Sequence, residues 1–427
     1  MKRHAIEELV RWKESRRRKP LIVEGARQVG KTWLVREFAS QYYKNIAVIN
    51  FEEQKYLRNL FHEDFNVDRI LEAVSAASHT EIVAGETLIF FDEIQDAENG
   101  LTSLKYFKEN APEQHIIAAG SLLGIELHKD SSFPVGKVQF MTLRPMSFIE
   151  FLEAVDEESL ARFIISKDWS NINLFAPKLR DLLKRYYFVG GMPEAVLTYA
   201  EEKNLDEVRE VQNEILRGYD YDFSKHAPSD IVPRIRMLWN SLPAQLSKEN
   251  RKFLYGLIKE GARAREYEGA LQWLIDGGLI YKVPNVTAPR IPLKSYEDSS
   301  AFKLFILDVG LLGVLSGLDS NTILEGSRIF TEFKGALTEQ YVMQELILHH
   351  ELYYFAKASS RLEVDFLIQS DGLVIPIEVK AEENLRAKSL RQFVTDYDSE
   401  EAFRISMSNY REETWMTNIP LCAAETV

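Results

Sequence analysis

The chain has 427 residues, 45% hydrophobic and 27% charged, with a formal net charge of −13. That length exceeds what one hydrophobic core serves, so about two to four domains are expected, and the balance is that of a folded protein rather than a disordered one. The acid excess excludes a protein that coats nucleic acid by charge alone, while leaving room for a local basic patch. The single cysteine, Cys422, excludes an internal disulfide and fits a reducing compartment. No stretch approaches roughly 18 apolar residues and the N-terminus lacks the apolar core of a signal peptide, so a cytoplasmic protein with no membrane contact is expected.

Taken in chain order, residues 1–155 alternate short apolar strands (LIVEG, IAVINFEE, TLIFFDE, HIIAAGS, QFMTL) with helical stretches. Buried strands without polar alternation, separated by helices, predict a parallel sheet covered on both faces. The first strand runs into GARQVGKT, Gly25 to Thr32, which fits G-x-x-x-x-G-K-[ST] and opens a helix. In that setting the backbone N–H groups of Gly25, Ala26, Arg27, Gln28, Val29 and Gly30 converge on phosphates, and the two glycines permit the tight bend. Lys31 is expected to neutralise the β/γ oxygens and Thr32 to offer its hydroxyl to Mg²⁺. TLIFFDEIQ ends its strand in Asp92, which is expected to hold the magnesium through water, and Glu93, which is expected to polarise the attacking water. Ser121, ending HIIAAGS, is the expected polar sensor beside the γ-phosphate. Lys137 and Arg144 are candidates for an additional cation, a device often supplied by a neighbouring subunit, which would favour a homo-oligomer. The run RRRK (Arg16 to Lys19) reads as a solvated cap.

Residues 156–235 read as helical, with breaks at GGMPEA and KHAPSD. Residues 236–328 carry a helical pair, ENRKFLYGLIKEG and EYEGALQWLIDGGLI, followed by YKVPNV and RIPLKSY, an order that predicts a winged helix. Its second helix carries Glu266, Glu268 and Asp276, a poor surface for a phosphate-lined groove, so a structural role is favoured over major-groove reading. Residues 329–427 predict a separate α/β module: a helix over Leu337 to His350, a strand over Leu352 to Ala356, the hairpin RLEVDFLIQSDGLVIPIEVKAEENL, then a helix from near Leu385. Its strands are largely apolar, and Asp365, Glu378 and Lys380 are the charges singled out in them. Read alone, those three charges are most simply a buried ion cluster kept for fold specificity.

These stretches resemble a known family. GARQVGKTWLVREFA, LIFFDEIQ and the GS of AAGSLLG are similar to the archaeal and bacterial AAA-superfamily ATPases of the AAA_14 family. RYYFVGGMPEAV, YDFSKHAP and FKLFILDVGLLGVLSG resemble the accompanying domain of unknown function 4143. The resemblance implies an α/β chain: a P-loop NTPase parallel sheet, a helical and winged-helix region, and a C-terminal restriction-endonuclease-like (PD-(D/E)xK) domain. It implies ATP and Mg²⁺ as cofactors and DNA as a further partner. Relatives often carry Gly-Arg where this chain has Gly136-Lys137, and lysine lacks the bidentate fork of arginine. VDF followed by IEVK then matches the D…(E/D)-x-K pattern. Glu378 and Lys380 are two apart and share a face, and Asp365 on the preceding strand can face them. Asp365 and Glu378 are expected to bind one or two Mg²⁺, Lys380 to position or deprotonate water, and Glu339, from the first helix of that fold, to complete the shell. The expected function is ATP turnover coupled to action on DNA through this centre. The alternative is a nucleotide-switched regulatory protein whose nuclease-like domain only docks a partner.

Overall fold

The structure is a computed structural model that describes residues 1–121, 123–127, 136–248, 252–320, 328–357, 362–382 and 387–427. Parts of several expectations therefore lie outside the described residues: Phe133 to Val135 before Lys137, Glu249 to Arg251 of the first paired helix, and the hairpin ends Arg361 and Glu383 to Leu385. The chain forms two compact units, one of residues 3–144 with 276–278, the other of residues 1–2, 145–275 and 279–427. No described helix is long and apolar enough to cross a membrane.

The first unit is built on strands β1 (Leu21–Glu24), β2 (Asn45–Asn50), β3 (Thr87–Asp92), β4 (His115–Ala119) and β5 (Gln139–Thr142). All pair in parallel, in the order β2-β3-β4-β1-β5. Parallel strands need crossovers, and helices Lys31–Tyr42, Val67–Ser78 and Gly100–Asn110 supply them, which is why β3 and β4 are buried at every position. Phe51, Phe61, Phe91 and Phe107 pack in succession through the core, tilted or edge-on, with ring centroids 5.8 to 6.0 Å apart. Because β4 lies between β1 and β3, the C-terminal ends of three adjacent strands deliver the phosphate loop, Ser121 and Asp92-Glu93 to one edge of the sheet.

The second unit contains helices Phe148–Ala154, Ala176–Val189, Pro193–Glu202, Leu205–His226 and Val232–Leu246, with the breaks at GGMPEA and KHAPSD where expected. Its strands are β6 (Ile280–Val286), β7 (Glu297–Ile306), β8 (Tyr353–Ala356), β9 (Glu363–Ser370), β10 (Leu373–Lys380), β11 (Phe403–Ser406), β12 (Arg411–Glu412) and β13 (Thr417–Pro420). They form one mixed sheet in the order β12-β13-β11-β10-β9-β8-β6-β7. This sheet runs across the expected 328/329 boundary, since β6 pairs in parallel with β8. The expected α/β class, with a parallel sheet of P-loop ATPase type and a C-terminal mixed-sheet part, is what the chain adopts.

The helical pair needs correction. Its second member forms, over Ala264–Asp276, but of the first the described residues hold only a 3₁₀ turn, Tyr255–Leu257. Tertiary bonds override helix formation there: Phe253 N donates to Phe302 O of β7 at 2.8 Å, and Leu254 exchanges two 2.9 Å bonds with the Gln245 amide. RIPLKSY likewise ends in a 3₁₀ turn, Leu293–Tyr296, and the strand begins only at Glu297.

Candidate functional sites

The phosphate loop takes its shape from its glycines. Gly25 has φ +141°, and a Cβ there would lie 2.2 Å from the Leu143 carbonyl oxygen; Gly30 has φ +92° and precedes the helix Lys31–Tyr42. Lys31 is buried and donates through Nζ to the carbonyls of Gly25 (2.9 Å) and Ala26 (2.8 Å). Burial lowers its pKa to about 8, opposed by the nearby Glu93 and Asp92 carboxylates. Thr32 Oγ1 donates to Asp92 Oδ2 at 2.9 Å. Burial pushes Asp92 above the usual carboxylate range, and the Thr32 hydroxyl pulls it back. Glu93, held at φ +49°, accepts at Oε2 from the Ser121 N–H and hydroxyl, both 3.1 Å away, and from Gln95 Nε2 at 2.6 Å. The structure thus gathers Lys31, Thr32, Asp92, Glu93 and Ser121 at one sheet edge, and Ser121 reaches the others by holding Glu93.

Of the two cation candidates, Lys137 is otherwise engaged. Lys137 pairs with Glu109 at 2.9 Å on the surface. Arg144 offers its carbonyl to Arg3 Nη2 at 2.7 Å, and its own Nε is buried without a hydrogen-bond partner among the described residues. Arg3 is the residue that sequence reasoning missed. It is buried, and its Nη1 also donates to the Val29 carbonyl of the phosphate loop at 3.0 Å. It therefore ties the loop to the end of β5.

The second centre lies on the mixed sheet. Asp365 on β9 and Glu378 on β10 sit one step past the Phe366–Ile377 pair, and Asp365 Oδ2 accepts from Val379 N at 2.8 Å. Glu378 pairs with Lys380 at 2.5 Å. Burial and then Asp365 raise the Glu378 pKa to about 7, with Lys380 opposing. Glu339, on the helix Arg328–Leu346, is fully buried and pairs with Lys303 at 3.0 Å. Lys303 on β7 also lies 3.2 Å from Glu363 and 3.9 Å from Asp365. Neither Lys303 nor Glu363 was singled out in the sequence, because FKLFIL reads as an ordinary buried strand.

As donors, Thr32 and Asp92 at the first site and Asp365 and Glu378 at the second are hard oxygens suited to Mg²⁺. Among the described residues no three His, Cys, Asp or Glu side chains converge as a cage for a metal ion.

Residues 17–152 match the family model of an AAA domain, AAA_14. Residues 180–322 and 334–423 match two domains of unknown function, DUF8612 and DUF4143. No curated protein matches the chain. Among solved structures, it is similar to the Aeropyrum pernix Orc1 protein in complex with DNA, at 14% identity over 74% of this chain and 93% of that one, with a TM-score of 0.30. It is also similar to Cdc6p from Pyrobaculum aerophilum (11%, 77% and 96%, TM-score 0.26). A third is the Thermotoga maritima RuvB Holliday junction branch migration motor (15%, 69% and 91%, TM-score 0.28). At such TM-scores these likenesses carry nothing beyond themselves. The match to the AAA domain model, AAA_14, covers the parallel sheet and its phosphate loop, and the DUF4143 match covers β8 to β13.

Proposed function

We propose that the protein binds and hydrolyses ATP with Mg²⁺ at the phosphate loop and couples this turnover to Mg²⁺-dependent action on DNA at the C-terminal centre. The observation that carries the first half is the bonded set Thr32–Asp92 and Glu93–Ser121 around Lys31. ATP and water give ADP and phosphate. The loop N–H groups and Lys31 bind the β/γ oxygens, Thr32 and Asp92 hold the Mg²⁺, and Glu93 orients and polarises the attacking water. Ser121 fixes the Glu93 carboxylate and so links its position to whatever occupies the loop. When bound, Mg²⁺ supplies charge neutralisation on the phosphate oxygens at both centres. At the C-terminal centre Asp365 and Glu378 hold the ion, and Lys380 positions the water that attacks a phosphodiester. A homo-oligomer fits this reading, since Lys137 is engaged with Glu109 and a partner copy would supply the missing charge.

A second reading, a nucleotide-switched regulator whose nuclease-like domain only docks a partner, is favoured by one observation: the Glu339–Lys303 pair is wholly buried and satisfies charge from within. One experiment separates the readings. Wild type, Lys31→Ala and Asp365→Ala are incubated with plasmid and single-stranded DNA and Mg²⁺, with and without ATP, while phosphate release is followed. The first reading expects Lys31→Ala to lose ATP turnover and ATP-stimulated cleavage, and Asp365→Ala to lose cleavage alone. Cleavage that survives Asp365→Ala sinks the nuclease half. ATP turnover without any cleavage by wild type selects the regulator.

A further inference from the structure

In the order of the mixed sheet, β7 stands three strand spacings from β9. A flat sheet would separate them by about 14 Å. Yet Lys303 Nζ of β7 lies 3.2 Å from Glu363 of β9, and the Phe305 and Phe366 rings are 5.8 Å apart. The sheet curls, and its curl carries one lysine into the acidic centre. That side chain is 1% exposed, its ammonium 3.0 Å from Glu339, 3.9 Å from Asp365, and 5.0 Å from the Tyr354 ring centroid. A lysine is rarely enclosed so fully unless its charge is answered on the spot.

The charge balance of the group is informative. Glu339, Glu363, Asp365 and Glu378 face Lys303 and Lys380, and the buried Arg404, opposite Glu378 in the β10–β11 register, is answered by Glu413, so the group carries a formal charge of −2. One divalent cation cancels that. A second would leave a net positive charge in a buried place, at the full cost of desolvating it. Position agrees with count. Lys303 lies closest to Glu339 (3.0 Å) and Glu363 (3.2 Å) and farther from Asp365 (3.9 Å), while Glu378 is paired with Lys380, so Asp365 and Glu378 form the other end of the group.

We propose that Lys303 is a built-in cation of the C-terminal centre, standing with its ammonium where a second metal ion would sit, so that the centre takes a single divalent ion at its Asp365–Glu378 end. Lys303 is then a positioning residue: it holds Glu339 and Glu363 away from the ion. Glu339 serves Lys303 rather than the metal. The inference rests on the reading of this centre as a divalent-metal site.

The test counts Mn²⁺ bound to the full-length, nucleotide-free chain by electron paramagnetic resonance, in an Asp92→Asn background that removes the phosphate-loop ligand. That parent is expected to bind one Mn²⁺, and adding Asp365→Asn to abolish it. Lys303→Ala is expected to take up a second ion, and Lys303→Arg, which keeps the charge, to stay at one. A parent that binds two ions overturns the proposal. One ion in the parent and still one in a folded Lys303→Ala also overturns it, while leaving the metal-site reading intact. No ion in the parent overturns both. Should Lys303→Ala fail to fold, the near-isosteric neutral Lys303→Met decides in its place: two ions uphold the proposal, and one ion overturns it.

Discussion

At the scale of single residues, the phosphate loop depends on a side chain far from it in sequence. Arg3 spans two carbonyls, Val29 in the loop and Arg144 after β5, so its planar fork fixes their separation. Replacing it by alanine removes two charge-assisted bonds from a buried place. Arg3→Ala should destabilise the unit of residues 3–144 by about 2–4 kcal/mol and weaken ATP binding several-fold. Lys31, which bonds to loop carbonyls of its own, stays in place. Arg3→Lys should restore only part, since one ammonium cannot make both contacts in the same geometry. Urea unfolding with and without ATP, and titration with a fluorescent ATP analogue, check this; ATP affinity unchanged in Arg3→Ala would dismiss the role. The loop itself was legible because its chemistry is contiguous: spacing, glycines, lysine and threonine all lie within Gly25 to Thr32. Arg3 and Lys303 were not, because each takes its meaning from a partner that only folding brings near.

At the scale of elements, two of the motifs behind the family resemblance meet for structural reasons. FKLFILDVG ends β7 at Ile306 and starts the helix Val309–Leu315, with Asp308 as its N-cap, accepting from Leu311 N at 3.0 Å. The same carboxylate accepts from Gly191 N of GGMPEA at 2.6 Å, and a Cβ on Gly190 (φ +74°) would lie 2.2 Å from Asp308 Oδ1. The glycine pair therefore makes room for a buried carboxylate and is not a phosphate site. Burial raises the Asp308 pKa to about 6, against the pull of the Gly191, Leu311 and Gly310 N–H groups and of Gln344. Glu345, buried nearby on the helix Arg328–Leu346, is raised in the same direction by burial and then by Glu425. For an acid whose folded pKa lies above its unfolded one, the native state holds the extra proton between the two. Stability is then highest below the unfolded value and falls as pH rises through the folded one. Taking this unit from pH 7 to pH 5 should raise its stability by an amount on the order of 1 kcal/mol from Asp308 alone. Asp308→Asn should lose that increment while keeping the share due to Glu345. Urea midpoints at the two pH values measure it; equal pH dependence in wild type and Asp308→Asn would refute the assignment. The helices and strands around these residues were legible from periodicity. The first paired helix was not, because its residues satisfy β7 and Gln245 instead of one another.

At the scale of the whole molecule, the helical region, the β6–β7 hairpin and the C-terminal strands share one unit, and the hairpin and those strands one sheet, although the sequence reads as three successive modules. Composition and motif spacing mark modules along the chain, and they carry no trace of a strand pairing such as Asn285 with Tyr354. Four further bonds close that seam. Asn285 Oδ1 accepts from Ala356 N at 2.9 Å, the Gln340 amide exchanges bonds of 3.1 and 2.7 Å with Ile306 of β7, and Lys303 pairs with Glu339. A fragment of residues 329–427 keeps Glu339 and Gln340 but loses Lys303 and Ile306. It would leave a buried carboxylate without the lysine it pairs with, at a cost of about 3–5 kcal/mol, and would bare the edge of β8. Such a fragment should lack a cooperative thermal transition and a near-ultraviolet circular dichroism signal, whereas residues 145–427 should show both. A sharply melting 329–427 fragment with native-like aromatic signals would mean that the C-terminal centre assembles without β7. Lys303 would then be a late addition to a finished site instead of part of what builds it.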